Sequence, residues 1–244
     1  MVRKYCIIML LFLLPLCTYG RTLKIGVSYF DPPFVIQLDP THFDGFDVSM
    51  IRYVCKTMRF DCELIAFKRD RLLNEVENGT VDLAVSDLVI SDKNASKVNF
   101  SIPYLINITH VIGLKKQVKN PFIIDLLYNQ KIGITDESYQ QHINILKIKN
   151  PIVSLYGQDD EMIDALNRGK IGFAFVDTYT ASYWSNNSSD LIADFGSPLH
   201  FESLVAVAVN SKDQALLEDI NRALTQYRNS QQFITDYNKY LLFF

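Results

Sequence analysis

No catalytic or metal-binding signature runs through this chain of 244 residues. Its four histidines, His42, His110, His142 and His200, stand apart, with neither a His-Glu-x-x-His helix nor a Cys/His cluster, so no metal is expected. There is no Gly-x-Ser-x-Gly elbow, no phosphate-cradling loop and no Gly-x-Gly-x-x-Gly turn, so those enzyme classes lack their usual sequence support and no cofactor is expected. The absence of a Cys-x-x-Cys pair removes the simplest redox site. Lysine and arginine are scattered rather than gathered into a stripe, and the formal net charge is −3, which argues against nucleic acid as a partner. Low-complexity linkers are also missing.

What remains is an ordinary globular composition, 48% hydrophobic and 21% charged, of a length that suits one large domain or two small ones. The first twenty residues differ in kind. Arg3 and Lys4 precede an almost wholly apolar run from Ile7 to Leu16, and Cys17-Thr18-Tyr19-Gly20 ends on a small residue. This predicts a signal peptide over 1–20, cleaved after Gly20. A membrane anchor would need a longer apolar run, and a lipoprotein signal would carry a small residue where Leu16 precedes Cys17. Export would remove Cys6 and Cys17, leaving Cys55 and Cys62 as an even pair in an oxidising compartment, where a disulfide is expected.

The pattern along the chain alternates strand and helix. Leu23 to Val27 reads as a buried strand ending in the Asp31-Pro32-Pro33 loop. Val48, Ile51, Val54, Cys55 and Met58 fall at helical spacing behind Asp47, the expected N-cap. Leu64 to Phe67 and Val81 to Val85 read as strands around a helix stopped by Gly79. A second cycle follows Pro103, with strands at Thr109 to Leu114, Lys131 to Ile134, Ile152 to Leu155 and Ile171 to Val176, and helices near 138–148 and 159–168. Asn186 to Ser189 reads as a loop, Leu204 to Val209 as one strand, and Asp213 to Tyr240 as two amphipathic helices broken near Asn229-Ser230. Such alternation predicts an α/β fold of parallel units with right-handed crossovers.

Ligands of open α/β sheets sit beyond the carboxyl ends of the strands. Four places qualify: Tyr29-Phe30-Asp31, Ser86-Asp87, Asp136-Glu137-Ser138 and Asp177. Each has a plainer role as well. Phe30, like Phe34, suits a cleft wall or mere packing beside Pro32-Pro33; Asp87 suits a pocket or a turn; Glu137 suits a helix dipole; Asp177 suits a helix cap.

Asp44-Gly45-Phe46-Asp47, the Cys55 and Cys62 pair, Gly79 to Ser86 with Asp82, and Ile90 to Ser101 together resemble the bacterial extracytoplasmic solute-binding proteins of family 3, in particular the lysine/arginine/ornithine-binding branch, which shares the cysteine pair. The resemblance covers nearly all of the mature chain. It implies a two-lobed periplasmic-binding-protein fold of type II, each lobe a mostly parallel sheet flanked by helices. Lobe 1 would comprise 22–107 plus 200–244 and lobe 2 108–199, with hinge crossings near Asn107 to Val111 and Phe195 to His200. It also implies a periplasmic monomer that hands a small polar ligand, amino-acid-like or cationic, to an inner-membrane ABC permease.

By the same resemblance Asp177 would meet the ligand's amino group and Ser138 its carboxylate, while Ser86 and Asp87 would line the pocket. Two departures stand out. Asn94, in Ser91-Asp92-Lys93-Asn94, occupies the position of the family's carboxylate-clamping arginine, and Arg69 occupies that of an aromatic lid. The resulting cleft would be acidic, with Arg69 as the nearby cation. Two other readings share the scaffold: a cyclohexadienyl-dehydratase-like enzyme and a sensor that no longer transports.

Overall fold

The computed structural model describes residues 22–117, 122–195 and 199–242. The expected signal segment lies outside the described residues, as do 196–198 of the second expected crossing. The chain opens with β1 (Leu23–Ser28), β2 (Phe30–Asp31), β3 (Val35–Asp39) and β4 (His42–Asp44), then α1 (Phe46–Met58), β5 (Cys62–Phe67), α2 (Leu72–Glu77), β6 (Leu83–Val85), α3 (Asp92–Ala95) and β7 (Asn99–Phe100). The middle holds β8 (Leu105–Leu114), β9 (Lys131–Ile134), α4 (Ser138–Ile145), β10 (Ile152–Leu155), α5 (Asp159–Asn167), β11 (Phe173–Asp177), α6 (Thr178–Asn187) and β12 (Ile192–Asp194). The chain ends with β13 (Glu202–Val205), β14 (Ala208–Val209), α7 (Gln214–Arg228) and α8 (Gln231–Tyr237).

These strands form two main sheets. The first runs β5-β1-β6-β14-β7, with β1 parallel to β5 and β6 and β14 antiparallel to β6 and β7. The second runs β10-β9-β11-β8-β12, parallel through β11 and antiparallel beyond it, with β13 also paired to β8. Each sheet with its helices forms a lobe. The chain changes sheet between Phe100 and Leu105 and again between Val205 and Ala208, where Ser101 N donates to Val207 O at 2.9 Å and Tyr104 N to Val205 O at 3.0 Å.

Burial follows from the pattern of apolar positions. Phe46, Val48, Met50, Ile51, Val54 and Cys55 of α1 pack with Leu216, Leu217, Ile220, Leu224 and Tyr227 of α7 over the first sheet. Each side chain of this size, when fully buried, contributes about 1.5–3 kcal/mol. In the second sheet the strand period of two sends Phe173 and Phe175 of β11 to one face and Ala174 and Val176 to the other, giving a separate core on each side. Asp213 and Ser230 cap α7 and α8 through Leu216 N and Phe233 N.

Four local expectations are corrected. The N-cap of α1 is Gly45, not Asp47; its φ of +127° suits glycine, and an added Cβ would sit 2.2 Å from Phe34 O. Asp47 lies inside the first turn with its carboxylate turned to the interior. The Pro32-Pro33 region is no simple loop, because β2, β3 and β4 make a small antiparallel sheet around it. Leu204 to Val209 is two strands in two sheets, since Val205 pairs with β8 and Ala208 with β6 and β7. Finally, α6 runs through Asn186 and Asn187, with Asn187 Nδ2 donating to Tyr183 O at 2.8 Å.

Candidate functional site

The carboxyl ends of β1, β5 and β6 in the first lobe face those of β9, β10 and β11 in the second. Side chains carried there meet across the junction. Lys68 Nζ lies 2.8 Å from Glu161, Asp70 N donates to Gly157 O at 3.3 Å, and Gln158 Nε2 reaches Ser28 Oγ at 3.4 Å and Phe30 O at 3.5 Å. The rings of Phe30 and Trp184 meet edge to face at 6.2 Å, and those of Phe34 and Tyr179 at 6.1 Å. The lobes are therefore in contact, with the strand ends enclosed between them.

Enclosed with them are five aspartates, Asp31, Asp47, Asp87, Asp159 and Asp177, all at most 5% exposed. Arg69, in a short 3-10 turn after β5, is the cation among them. Its side chain is 10% exposed; Nη2 donates to Asp87 O at 2.8 Å and lies 3.8 Å from Asp87 Oδ2, and Nε lies 3.5 Å from Asp31 Oδ2. Burial opposes the guanidinium's charge, but Asp31, Asp159 and Asp87 outweigh it and hold the group above the ordinary arginine range.

Burial drives the carboxyls the other way. Asp31 is pushed well above the usual carboxylate range by desolvation, with Arg69 opposing, and Asp87 by desolvation reinforced by Asp177. Asp47 is raised to about 7 by burial, against the hydrogen bond from Asp87 N at 2.8 Å. Asp177 is raised by burial and held back by hydrogen bonds at the start of α6, where Oδ1 accepts from Tyr179 N at 2.8 Å and Thr180 N at 3.1 Å. Asp177 is thus a helix cap and a member of the acid cluster at once.

Asp87 stands at φ +46°, an unfavourable conformation for a residue with a Cβ. Three contacts hold it: Asp47 on its N–H, Arg69 on its carbonyl, and Asn107 Nδ2 donating to Oδ1 at 2.5 Å. Ser86 beside it is fully buried and accepts Ser28 N at 3.1 Å. Asp31 Oδ2, Asn107 Oδ1 and Gln158 Oε1 are buried without a hydrogen-bond partner among the described residues. Unpaired buried acceptors of this kind are costly, and a donor reaching them would be strongly favoured.

An open cleft of about 610 Å³ adjoins the cluster, lined on one side by Arg69, Ser91 and Asn94 and on the other by Asp136, Glu137 and Ser138. Asn94 Nδ2 donates to its own neighbour Val89 O at 2.9 Å, so its amide is engaged locally. Glu137 is half exposed and pairs with Lys93 Nζ at 2.5 Å across the cleft. Ser138 N donates to Asp136 Oδ1 at 2.8 Å, while its Oγ is buried and unpartnered among the described residues. The predicted positions thus divide between two neighbouring places. Arg69, Ser86, Asp87 and Asp177 belong to the enclosed cluster with Phe30 at its edge, and Asn94, Glu137 and Ser138 belong to the cleft.

Sequence reasoning passed over Asp159, Gln158 and Asn107 and took Asp47 for a cap. Gln158 and Asp159 follow β10 directly, so the rule that picked out Ser86 and Asp177 applied to them as well. Asn107 stands out in the sequence only as the start of an expected crossing, because its contact with Asp87 depends on where β8 passes. Among the described residues no group of His, Cys, Asp and Glu could hold a metal ion.

Comparison with known proteins agrees with this architecture. ABC transporter arginine-binding protein 1 of Escherichia coli strain K12 is 27% identical over 215 residues, covering 85% of this chain and 87% of that protein. A crystal structure of an arginine 3rd transport system periplasmic binding protein from Legionella pneumophila superposes with a TM-score of 0.82 at 22% identity, over 90% of this chain and 99% of that one. The ancestral amino acid-binding protein AncCDT-1, a precursor of cyclohexadienyl dehydratase, matches at a TM-score of 0.78 and 19% identity over 90% of this chain and 95% of that one. The fold is that of the type II periplasmic binding proteins, and the similar proteins are themselves binders. The model of the bacterial extracellular solute-binding proteins, family 3, matches residues 23–243, and the chain belongs to that family.

Proposed function

We propose that this chain is the periplasmic solute-capturing component of an ABC importer, and that its solute is a small cation, amino-acid-like or a simple amine. One observation carries the reading: carboxyl groups from both lobes are enclosed at the junction in excess of Arg69, the single cation placed among them in the described residues. In a partly desolvated space a buried acid gives up its proton when a cation sits beside it and keeps it beside an anion, so the cluster favours positive charge. The arginine-binding relative supports a cationic solute. Asn94 carries no charge and its amide is already engaged, so a diamine suits the cleft better than a zwitterion whose carboxylate would need a charged partner.

Capture would work by closure. The units that move would be 22–107 with 200–244 against 108–199, parting within the β8–β13 ladder where Asn107 lies opposite Ser203 and Ile108 opposite Glu202, and a solute touching both would favour the closed form by its differential contacts. Calorimetry of the mature protein against arginine, lysine, putrescine, glutamine and glutamate tests the solute class. Binding confined to the cations is expected; tight glutamate binding would overturn it.

A further inference from the structure

On the reading that a solute draws the two lobes together, we propose that Tyr179 is the latch of that closure: set on α6 beside Asp177, it docks its ring and hydroxyl on the first lobe and so fixes how long a solute is held. Tyr179 is a positioning residue, acting through Asp177 and the lobe contact rather than by touching the solute.

Helix α6 belongs to the second lobe, where Ala181 is buried in the core and Trp184 packs against it. Tyr179 departs from these neighbours. Two residues before Ala181, it projects from nearly the opposite side of the helix, is only 9% exposed, and is buried with the core of the first lobe. Its ring stands edge to face with Phe34, which follows β2, and with Tyr237 of α8, at 6.1 Å in both cases. The hydroxyls of Tyr179 and Tyr237 lie 3.1 Å apart. Burial raises the Tyr179 hydroxyl above the ordinary tyrosine range, and the Tyr237 hydroxyl adds to this, so the bond joins neutral groups. Parting the lobes would return the ring to water, whereas the second lobe's core around Ala181 does not include it.

The link to the site is short. Asp177 Oδ1 accepts the backbone N–H of Tyr179 at 2.8 Å at the start of α6. A solute that engages Asp177 while touching the first lobe therefore sets the start of α6 and, with it, the seat of Tyr179. A contact completed only after the partners have met acts mainly on the dissociation rate.

The test is stopped-flow binding to the mature wild type, Tyr179→Ala, Tyr179→Phe, Tyr237→Phe and the double Phe variant, with arginine, lysine, putrescine and glutamate as probes. Tyr179→Ala is expected to release arginine about tenfold or more faster than the wild type, with association changed less than about twofold. Each single Phe variant should release it about threefold faster, and the double variant no faster than either, because one hydrogen bond is lost in all three. A fold defect would lower the number of competent sites without changing the release rate. Release from Tyr179→Ala at the wild-type rate, or losses that add in the double variant, would overturn the latch.

If Tyr179→Ala does not fold, the Phe variants decide, since each removes a hydroxyl and no ring; wild-type release from both overturns the proposal. Tight binding of glutamate refutes the solute class alone, and the same variants are then compared with glutamate. If none of the four probes binds the wild type, the solute class fails and the latch is read without solute. Tyr179→Cys with Tyr237→Cys, the native Cys55–Cys62 bond kept oxidised, is treated with a bismaleimide long enough to replace the two rings. A link within one chain supports the latch, and a folded double Cys variant that forms none overturns it.

Discussion

The carboxylate of Asp47 accepts the backbone N–H of Asp87 at 2.8 Å, across 40 residues of sequence. The first turn of α1 thereby fixes the loop after β6 in the left-handed conformation that carries Asp87. The backbone of the site is held by one of its own acids.

This arrangement has a signature in pH. Asp47 moves from 3.8 to about 7 on folding, so between those values the folded chain holds a proton that the unfolded chain has released. Stability contributed by the neutral form is complete below pH 4 and is lost as pH rises toward 7, an effect on the order of a few kcal/mol. Asp31 and Asp87 shift in the same direction, whereas Asp39 and Asp44, held below the ordinary range, pull oppositely. Chemical denaturation from pH 4.5 to 8 should therefore show a flatter profile for Asp47→Asn than for the wild type. Asp47→Ala should also lose about 1–3 kcal/mol at every pH by leaving Asp87 N–H unpaired. Parallel wild-type and Asp47→Asn profiles would remove Asp47 as the source.

Asp177 caps α6, and the proposed solute site gives it a second role that substitution can separate. Asp177→Asn keeps an oxygen for Tyr179 N and Thr180 N but loses the charge, so stability should change little while affinity for a cation falls. Asp177→Ala removes the cap as well, at about 1 kcal/mol. Calorimetry and thermal denaturation on both variants give the comparison, and unchanged cation affinity in Asp177→Asn would leave the residue a cap alone.

The Cys55–Cys62 disulfide, with Cα atoms 6.3 Å apart, ties the last turn of α1 to the edge strand β5. The loop it closes is short, so reduction should cost only about 2 kcal/mol. Hydrogen exchange should quicken first along β5, whose outer edge has no neighbouring strand among the described residues. Uniform quickening across the first sheet would mean that the bond supports the whole lobe instead.

The sequence carried the repeating elements well, because apolar spacing is a local property. Residues 131–134 and 152–155 declare themselves as short apolar runs and 214–228 by its helical period. Partnership is not local. Nothing in Leu204 to Val209 says that Val205 and Ala208 join different sheets, and the two-residue strand at Phe30 is too short to show a period. The site divided along the same line. Strand-end positions such as Asp87 and Asp177 could be found by rule, but the turning of Asp47 inward and the insertion of Arg69 among acids depend on side-chain direction. Sequence spacing says little about that in turns, and a lone aspartate near a helix start looks like a cap.

The strand order of the first sheet also bears on how the chain acquires its shape as it is made. Strand β14 lies between β6 and β7, yet it is synthesised after every strand of the second sheet. Apart from β13, the second sheet is contiguous in sequence from Leu105 to Asp194 and can assemble early, whereas the first stays split until Val209 has emerged and unroofed until α7 packs on α1. Pairing across so long a separation is slow. A nascent chain stalled near residue 200 would hold a finished second half and an open, sticky first half. In that interval the apolar face of the first half has nothing to cover it, and the last 45 or so residues supply the cover.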